Sequence, residues 1–197
     1  MTVESNDRRA RARREPKQAT PAYLERAALF YLERYAASAE SLRRVLLRKV
    51  RRSAEAHGSD PAEGAAAIEA LIARFLRAGL LDDGLYARGQ ALSLLRRGGS
   101  ERAIRLKLQQ RGVSEADIAA ALAARLEEHE DPELAAALTY ARRRRLGPYR
   151  GDPEVRAEAR TKDLAALARR GFAPALCRRV IDTDDIEQLW GETLGSL

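Results

Sequence analysis

Cysteine, histidine and aromatic residues are scarce in this 197-residue chain. The single Cys177 excludes an intramolecular disulfide, and two histidines, His57 and His129, are too few for a zinc cluster of the usual kind. A reducing cytoplasmic compartment is the expectation. No apolar run approaches the roughly 18 residues of a membrane span, and the opening Thr2 to Asp7 lacks a hydrophobic signal core. We therefore expect a protein that is neither exported nor bound to membrane. Aromatics make up 5% of the chain, so the core must come from Leu, Ile, Val and Ala, a composition that favours helices over strands.

The common catalytic signatures are also missing. There is no Walker-type phosphate loop and no dinucleotide glycine pattern. Arg97-Gly98-Gly99-Ser100 is too short to cradle a phosphate and reads as a helix stop followed by a cap. His57 and His129 read as surface histidines and Cys177 as a small buried hydrophobe. The expectation is a non-enzyme with no catalytic residues, no metal and no cofactor.

What is present is positive charge. Lys and Arg number 36 against 29 Asp and Glu, a net charge of +7. Residues 1–19 hold Arg8, Arg9, Arg11, Arg13, Arg14 and Lys17 with almost no apolar side chain, so nothing there offsets the entropy of ordering. They read as a disordered basic arm.

Beyond the arm the chain is punctuated for helices. Thr20-Pro21, Asp60-Pro61, Asp131-Pro132 and Asp152-Pro153 each pair a capping oxygen with a proline at the first helical position, where its missing N–H does no harm. Ser38, Asp82, Ser100 and Ser114 are further caps, the last with Asp117 three residues on. Gly79, Gly98, Gly112, Gly147 and Gly171 mark expected stops. Apolar residues at helical spacing agree, as in Ile68, Leu71, Ile72, Phe75 and Leu76.

The chain also repeats itself. Leu42-Arg43, Leu46 and Lys49 align with Ile104-Arg105, Leu108 and Arg111, and Ile68, Leu71, Ile72 and Leu76 align with Ile118, Ala121, Leu122 and Leu126. The first offset exceeds the second by 12 residues, which places an insertion near 50–61. Leu108, Arg111-Gly112-Val113 and Leu122 recur as Leu167, Arg170-Gly171-Phe172 and Ile181. The expectation is an all-α, elongated array of three tandem three-helix repeats at 20–80, 81–130 and 131–183, with an extension at 184–197. Tyr86 is read as an anchor between the first and second copies, and Trp190 as a packing residue of a terminal helix. An open array of this kind needs no symmetry partner, so a monomer is expected.

Basic residues recur on the middle helix of each unit, while acidic ones gather at Glu127, Glu128, Glu130, Asp131 and Glu133. Arginine outnumbers lysine 32 to 4, a bias to which genomic base composition also contributes. The candidate contacts for an anionic partner are Arg43, Arg44, Arg48, Arg96, Arg97, Arg102, Arg105, Lys107, Arg111, Arg144 and Arg145. The residues alone leave three readings open: a filament-bound regulator, an autonomous DNA-binding module of helix-turn-helix-like units, and a helical adaptor with a passive basic face. The second must contend with middle helices that offer no evident set of Asn, Gln or Ser for base edges.

Several segments, in order, resemble the RecX regulatory proteins of bacteria: 28–35 followed by 38–49, Gly79-Leu80-Leu81-Asp82-Asp83-Gly84-Leu85-Tyr86-Ala87, 98–113, Arg144-Arg145-Leu146-Gly147-Pro148-Tyr149-Arg150, and Arg169-Arg170-Gly171-Phe172. The resemblance covers about residues 21–182. It implies tandem three-helix repeats that bind the RecA recombinase filament on single-stranded DNA and damp its ATPase, strand-exchange and co-protease activities. The arginine-rich arm, the insertion near 50–61 and the segment 184–197 depart from the family's pattern.

Overall fold

Short-range capping decides where each helix begins. In a computed structural model, which describes residues 16–124 and 130–194, the helices are α1 (Pro21–Leu32), α2 (Ala39–His57), α3 (Pro61–Arg77), α4 (Asp83–Leu95), α5 (Glu101–Gln110), α6 (Glu115–Ala123), α7 (Pro132–Arg144), α8 (Pro153–Arg169), α9 (Pro174–Asp182) and α10 (Ile186–Leu194). No strand occurs among the described residues. The side chains of Thr20, Ser38, Asp60, Asp82, Ser100, Ser114, Asp131 and Asp152 each accept an amide N–H of the first turn that follows, satisfying donors that have no partner inside the helix.

Two punctuation marks differ from expectation. Helix α7 stops before Gly147: Arg145 takes the left-handed conformation, with φ of 53°, and Gly147 opens a 3-10 turn through Tyr149. Helix α9 starts at Ala173-Pro174 with no side-chain cap, so proline's fixed φ alone marks its entry.

The chain divides into two compact units, 1–81 and 82–197. In the first, Leu24 and Ala28 of α1, Leu42, Leu46 and Val50 of α2, and Ile68, Ile72 and Phe75 of α3 form one core, closed by Leu81. Each fully buried Leu or Ile contributes about 1.5–3 kcal/mol relative to exposure. The arm lies outside the described residues up to position 15. Its last residues are tied down rather than free, because the Ala19 N–H donates to the buried Ser53 Oγ at 2.8 Å.

In the second unit α7 is central. Leu134, Ala135, Ala136, Ala137, Leu138 and Ala141 are all buried, and the small alanines let neighbours approach from several sides. Around it lie Ala87, Ala91 and Leu95 of α4, Ile104 and Leu108 of α5, Ile118 and Leu122 of α6, Leu167 of α8, Val180 and Ile181 of α9, and Leu189 of α10. We read α4–α6 and α7–α9 as the second and third repeats. Tyr86 packs against this core, as do Ile186 and Trp190 of α10. The Trp190 indole N–H donates to the Tyr149 hydroxyl at 2.8 Å. Burial raises the Tyr149 phenol above its ordinary range against the opposing pull of that bond.

Candidate functional site

Three segments of the second unit meet at one turn. Helix α4 ends at Leu95, the chain reverses through Gly98, and Ser100 caps α5. Gly98 has φ of 72°, and a Cβ there would lie 2.7 Å from the Tyr140 backbone nitrogen, so α7 sits directly on the turn and only glycine fits. Arg143, one helical turn along, donates to the Arg97 carbonyl at 3.2 Å.

The link between α8 and α9 arrives from another side. Gly171 has φ of 100°, and a Cβ there would lie 2.6 Å from Ser100 Oγ. That hydroxyl donates to the Arg170 carbonyl at 2.7 Å, while Arg170 Nε donates to the Gly98 carbonyl at 3.3 Å. The Arg170 guanidinium lies 5.5 Å from the centre of the Tyr140 ring.

The turn thereby collects Arg96, Arg97, Arg102, Arg143 and Arg170. The carboxylates beside them are Glu133, which accepts the Glu101 N–H at 2.9 Å, and Glu101, which pairs with Arg105 at 3.2 Å. Hydrogen bonds from Arg143 and Arg170 go to neutral carbonyls, so they orient the guanidinium groups without cancelling their charge. A dense, exposed cluster of this kind suits phosphate or carboxylate groups, each guanidinium offering paired donors.

The structure sorts the residues expected from sequence. Arg96, Arg97 and Arg102 belong to the turn, and Arg144 and the left-handed Arg145 are exposed at the nearby end of α7. Lys107 and Arg111 are exposed further along and just beyond α5. Arg105 is held between Glu101 and Glu115. Arg43, Arg44 and Arg48 lie on α2 in the other unit. Arg43 is clamped by Glu69 at 2.6 and 2.8 Å and by Glu40 at 2.5 Å, and Arg44 pairs with Glu40 at 2.7 Å. Hydrogen bonds from Arg43 hold the Glu69 and Glu40 carboxyls below their ordinary range, against the opposing effect of burial. Arg43 is therefore already neutralised within its own unit. Sequence reasoning placed Arg143 and Arg170 in the basic cluster of the third copy without ranking them as contacts, and it did not single out Tyr140.

Among proteins of known name, the chain is 45% identical over 177 residues to the regulatory protein RecX of Myxococcus xanthus, spanning 90% of this chain and 94% of that one. The chain belongs to the RecX family of regulatory proteins. The RecX of Agrobacterium fabrum is 32% identical over 178 residues, covering 89% of this chain and 91% of the relative. The family model for the second three-helix domain of RecX matches residues 82–122, the α4–α6 segment that carries the basic turn. A crystal structure of a regulatory protein RecX shares the fold, with a TM-score of 0.59 and 23% identity over 83% of this chain and 72% of that one. These relatives bear the name of a regulator, not of an enzyme. Among the described residues no helix is long and apolar enough to cross a membrane, and no cluster of His, Cys, Asp and Glu could hold a metal ion.

Proposed function

We propose that this RecX chain binds the RecA nucleoprotein filament and damps its ATPase, strand-exchange and co-protease activities, acting in the cytoplasm as a monomer. Family membership supports the reading, and one structural observation carries it to a surface: Arg96, Arg97 and Arg102, within the domain that the family model matches, are joined at their turn by Arg143 and Arg170 from later helices. Binding there needs no catalysis. The guanidinium groups approach acidic protein surface or single-stranded DNA phosphate within the filament, and occupancy of that surface restrains the filament. Arg105 is left out of this set, because two carboxylates already hold it.

The test is DNA-dependent ATP hydrolysis by the cognate RecA on single-stranded DNA, with this protein titrated well below one molecule per RecA monomer. Strong inhibition at low ratios is expected, since simple coating of the DNA would require far more protein. The R96A/R97A/R102A variant is expected to lose most of that inhibition and its salt sensitivity. No inhibition by the wild-type protein in excess would refute the function. Full inhibition by the variant at every salt concentration would refute the surface.

A further inference from the structure

Residues 184–194 hold Asp184, Asp185, Glu187 and Glu192 and no Lys or Arg, in a chain whose net charge is +7. They form α10 and the link that leads to it. Asp185 caps the helix by accepting the Gln188 N–H at 2.9 Å. Leu189 is buried, while Ile186 and Trp190 pack at the edge of the second unit's core. The helix lies chiefly against α7, and its Thr193 carbonyl accepts the Glu130 N–H, just before α7 begins, at 3.1 Å.

Arginines from three helices of the third repeat reach this segment. The Arg142 guanidinium, on α7, lies 5.3 Å from the centre of the Trp190 ring. Arg179, on α9, pairs with Glu192 and lies 3.9 Å from Asp131. Arg156, on α8, pairs with Asp184 at 3.1 Å and donates to the Thr183 carbonyl at 2.6 Å, which fixes the link at the foot of α10. Arg143, Arg144 and Arg178 beside them are exposed, so the arginines engaged by α10 belong to a longer basic run on α7 and α9. An acidic helix with apolar anchors thus sits on a basic face of its own chain.

We infer that the α7–α9 face beneath α10 is a binding surface for an acidic protein partner, and that α10 is its intramolecular occupant, displaced when the partner arrives. Regulation of this kind rests on the proposed action on the recombinase, whose filament would supply the acidic surface. The occupant itself indicates the ligand: α10 joins carboxylates to Leu189 and Trp190, and a bare phosphate backbone has nothing to replace those apolar anchors. Two properties suit α10 to reversible occupancy. Its ion pairs are open to solvent, with Asp184 95% and Glu192 37% exposed, and such pairs are weak and screened by salt. Its apolar attachment is small, one buried leucine beside the half-buried Ile186 and Trp190. Because it is covalently joined, α10 returns to the face once the partner leaves.

The measurement is the emission of Trp190, the chain's one tryptophan, during titration with a random copolymer of glutamate and tyrosine, with no recombinase present. Displacement of α10 is expected to move the emission to longer wavelength, as the indole leaves Tyr149 for water. Emission unchanged at saturating copolymer would overturn the displacement. An equal shift with oligo(dT) at matched charge would assign the face to any polyanion and overturn the ligand. D184N/E192Q removes the charges that pair with Arg156 and Arg179 but keeps the Asp185 cap, Leu189 and Trp190, so it should fold and melt like wild type. It is expected to complete the shift at about fivefold less copolymer, as the loss of two exposed pairs allows. E63Q/E158Q, which neutralises two exposed carboxylates elsewhere, should titrate like wild type; an equal gain in both variants would reduce the effect to net charge and overturn the occupancy. In the RecA ATPase assay D184N/E192Q should reach half-inhibition at less protein than wild type, and an unchanged midpoint would overturn the regulation. Because the emission series contains no recombinase, its failure is distinguishable from a failure to inhibit RecA.

Discussion

Replacing Asp163 with alanine should destabilise the second unit more than any change at the basic turn's exposed arginines. The carboxylate is 1% exposed and accepts from Arg150 Nε at 2.8 Å, Arg150 Nη2 at 2.7 Å and the Gly147 N–H at 2.9 Å. Losing one partner of a buried pair costs about 3–5 kcal/mol. Arg150 is 24% exposed and can turn its charge to water, which favours the lower end, about 3 kcal/mol. For a unit of roughly a hundred residues, that lowers the melting temperature by about 12 °C. Trp190, the chain's one tryptophan, packs against this unit's core, so its fluorescence follows the transition directly. Burial pushes the Asp163 carboxyl up, but the Arg150 guanidinium and the Gly147 amide outweigh it and hold the group below the usual range. A depressed carboxyl contributes stability above its unfolded pKa of about 3.9 and loses it as pH falls through the folded value. The gap between wild type and Asp163→Ala should therefore be full at pH 7 and narrow in acid below about pH 4. The double replacement Arg150→Met, Asp163→Leu should recover only the part of the loss that comes from the stranded Arg150 charge, since the buried Gly147 N–H still lacks its acceptor. A single variant melting within 2 °C of wild type at pH 7, or a gap that widens in acid, would refute the reasoning.

Two further outcomes separate scaffold from surface. Gly98→Ala places a methyl group against the Tyr140 backbone at a left-handed φ and should cost roughly 3 kcal/mol, read as a lowered Trp190 transition. R43A/R44A removes cations already engaged by Glu40 and Glu69; it should change stability by about 1 kcal/mol or less and leave RecA inhibition intact, which titration of the ATPase checks.

The helix starts were legible because a cap acts over two or three residues: Ser38, Asp82 and Ser114 announce their helices locally. Where the signal was not a polar side chain, as at Ala173-Pro174 and Arg145, the boundary was missed. The fold class followed from the caps, the helical spacing and the internal repeat, and the family from the order of segments. The candidate site was less legible, since charge is visible in sequence but its neutralisation is not. The Arg43 clamp joins residues 26 apart, and Arg170 reaches Gly98 across 72. Arg105 looked as available as Arg102 until Glu115 was seen beside it. The acidic residues Glu127 and Glu128, with His129, lie outside the described residues.

The Ser100 hydroxyl has a consequence for the order of events during synthesis. It accepts from Ala103, three residues away, yet donates to Arg170, 70 residues further on. At roughly 5–20 residues per second, a ribosome delivers that second partner about 3–13 s after the first. Helix α5 is capped early by its own turn, but the junction that gathers the arginines closes only when the last third of the chain has emerged. A polypeptide released prematurely before residue 170 keeps its helix start and lacks the assembled surface.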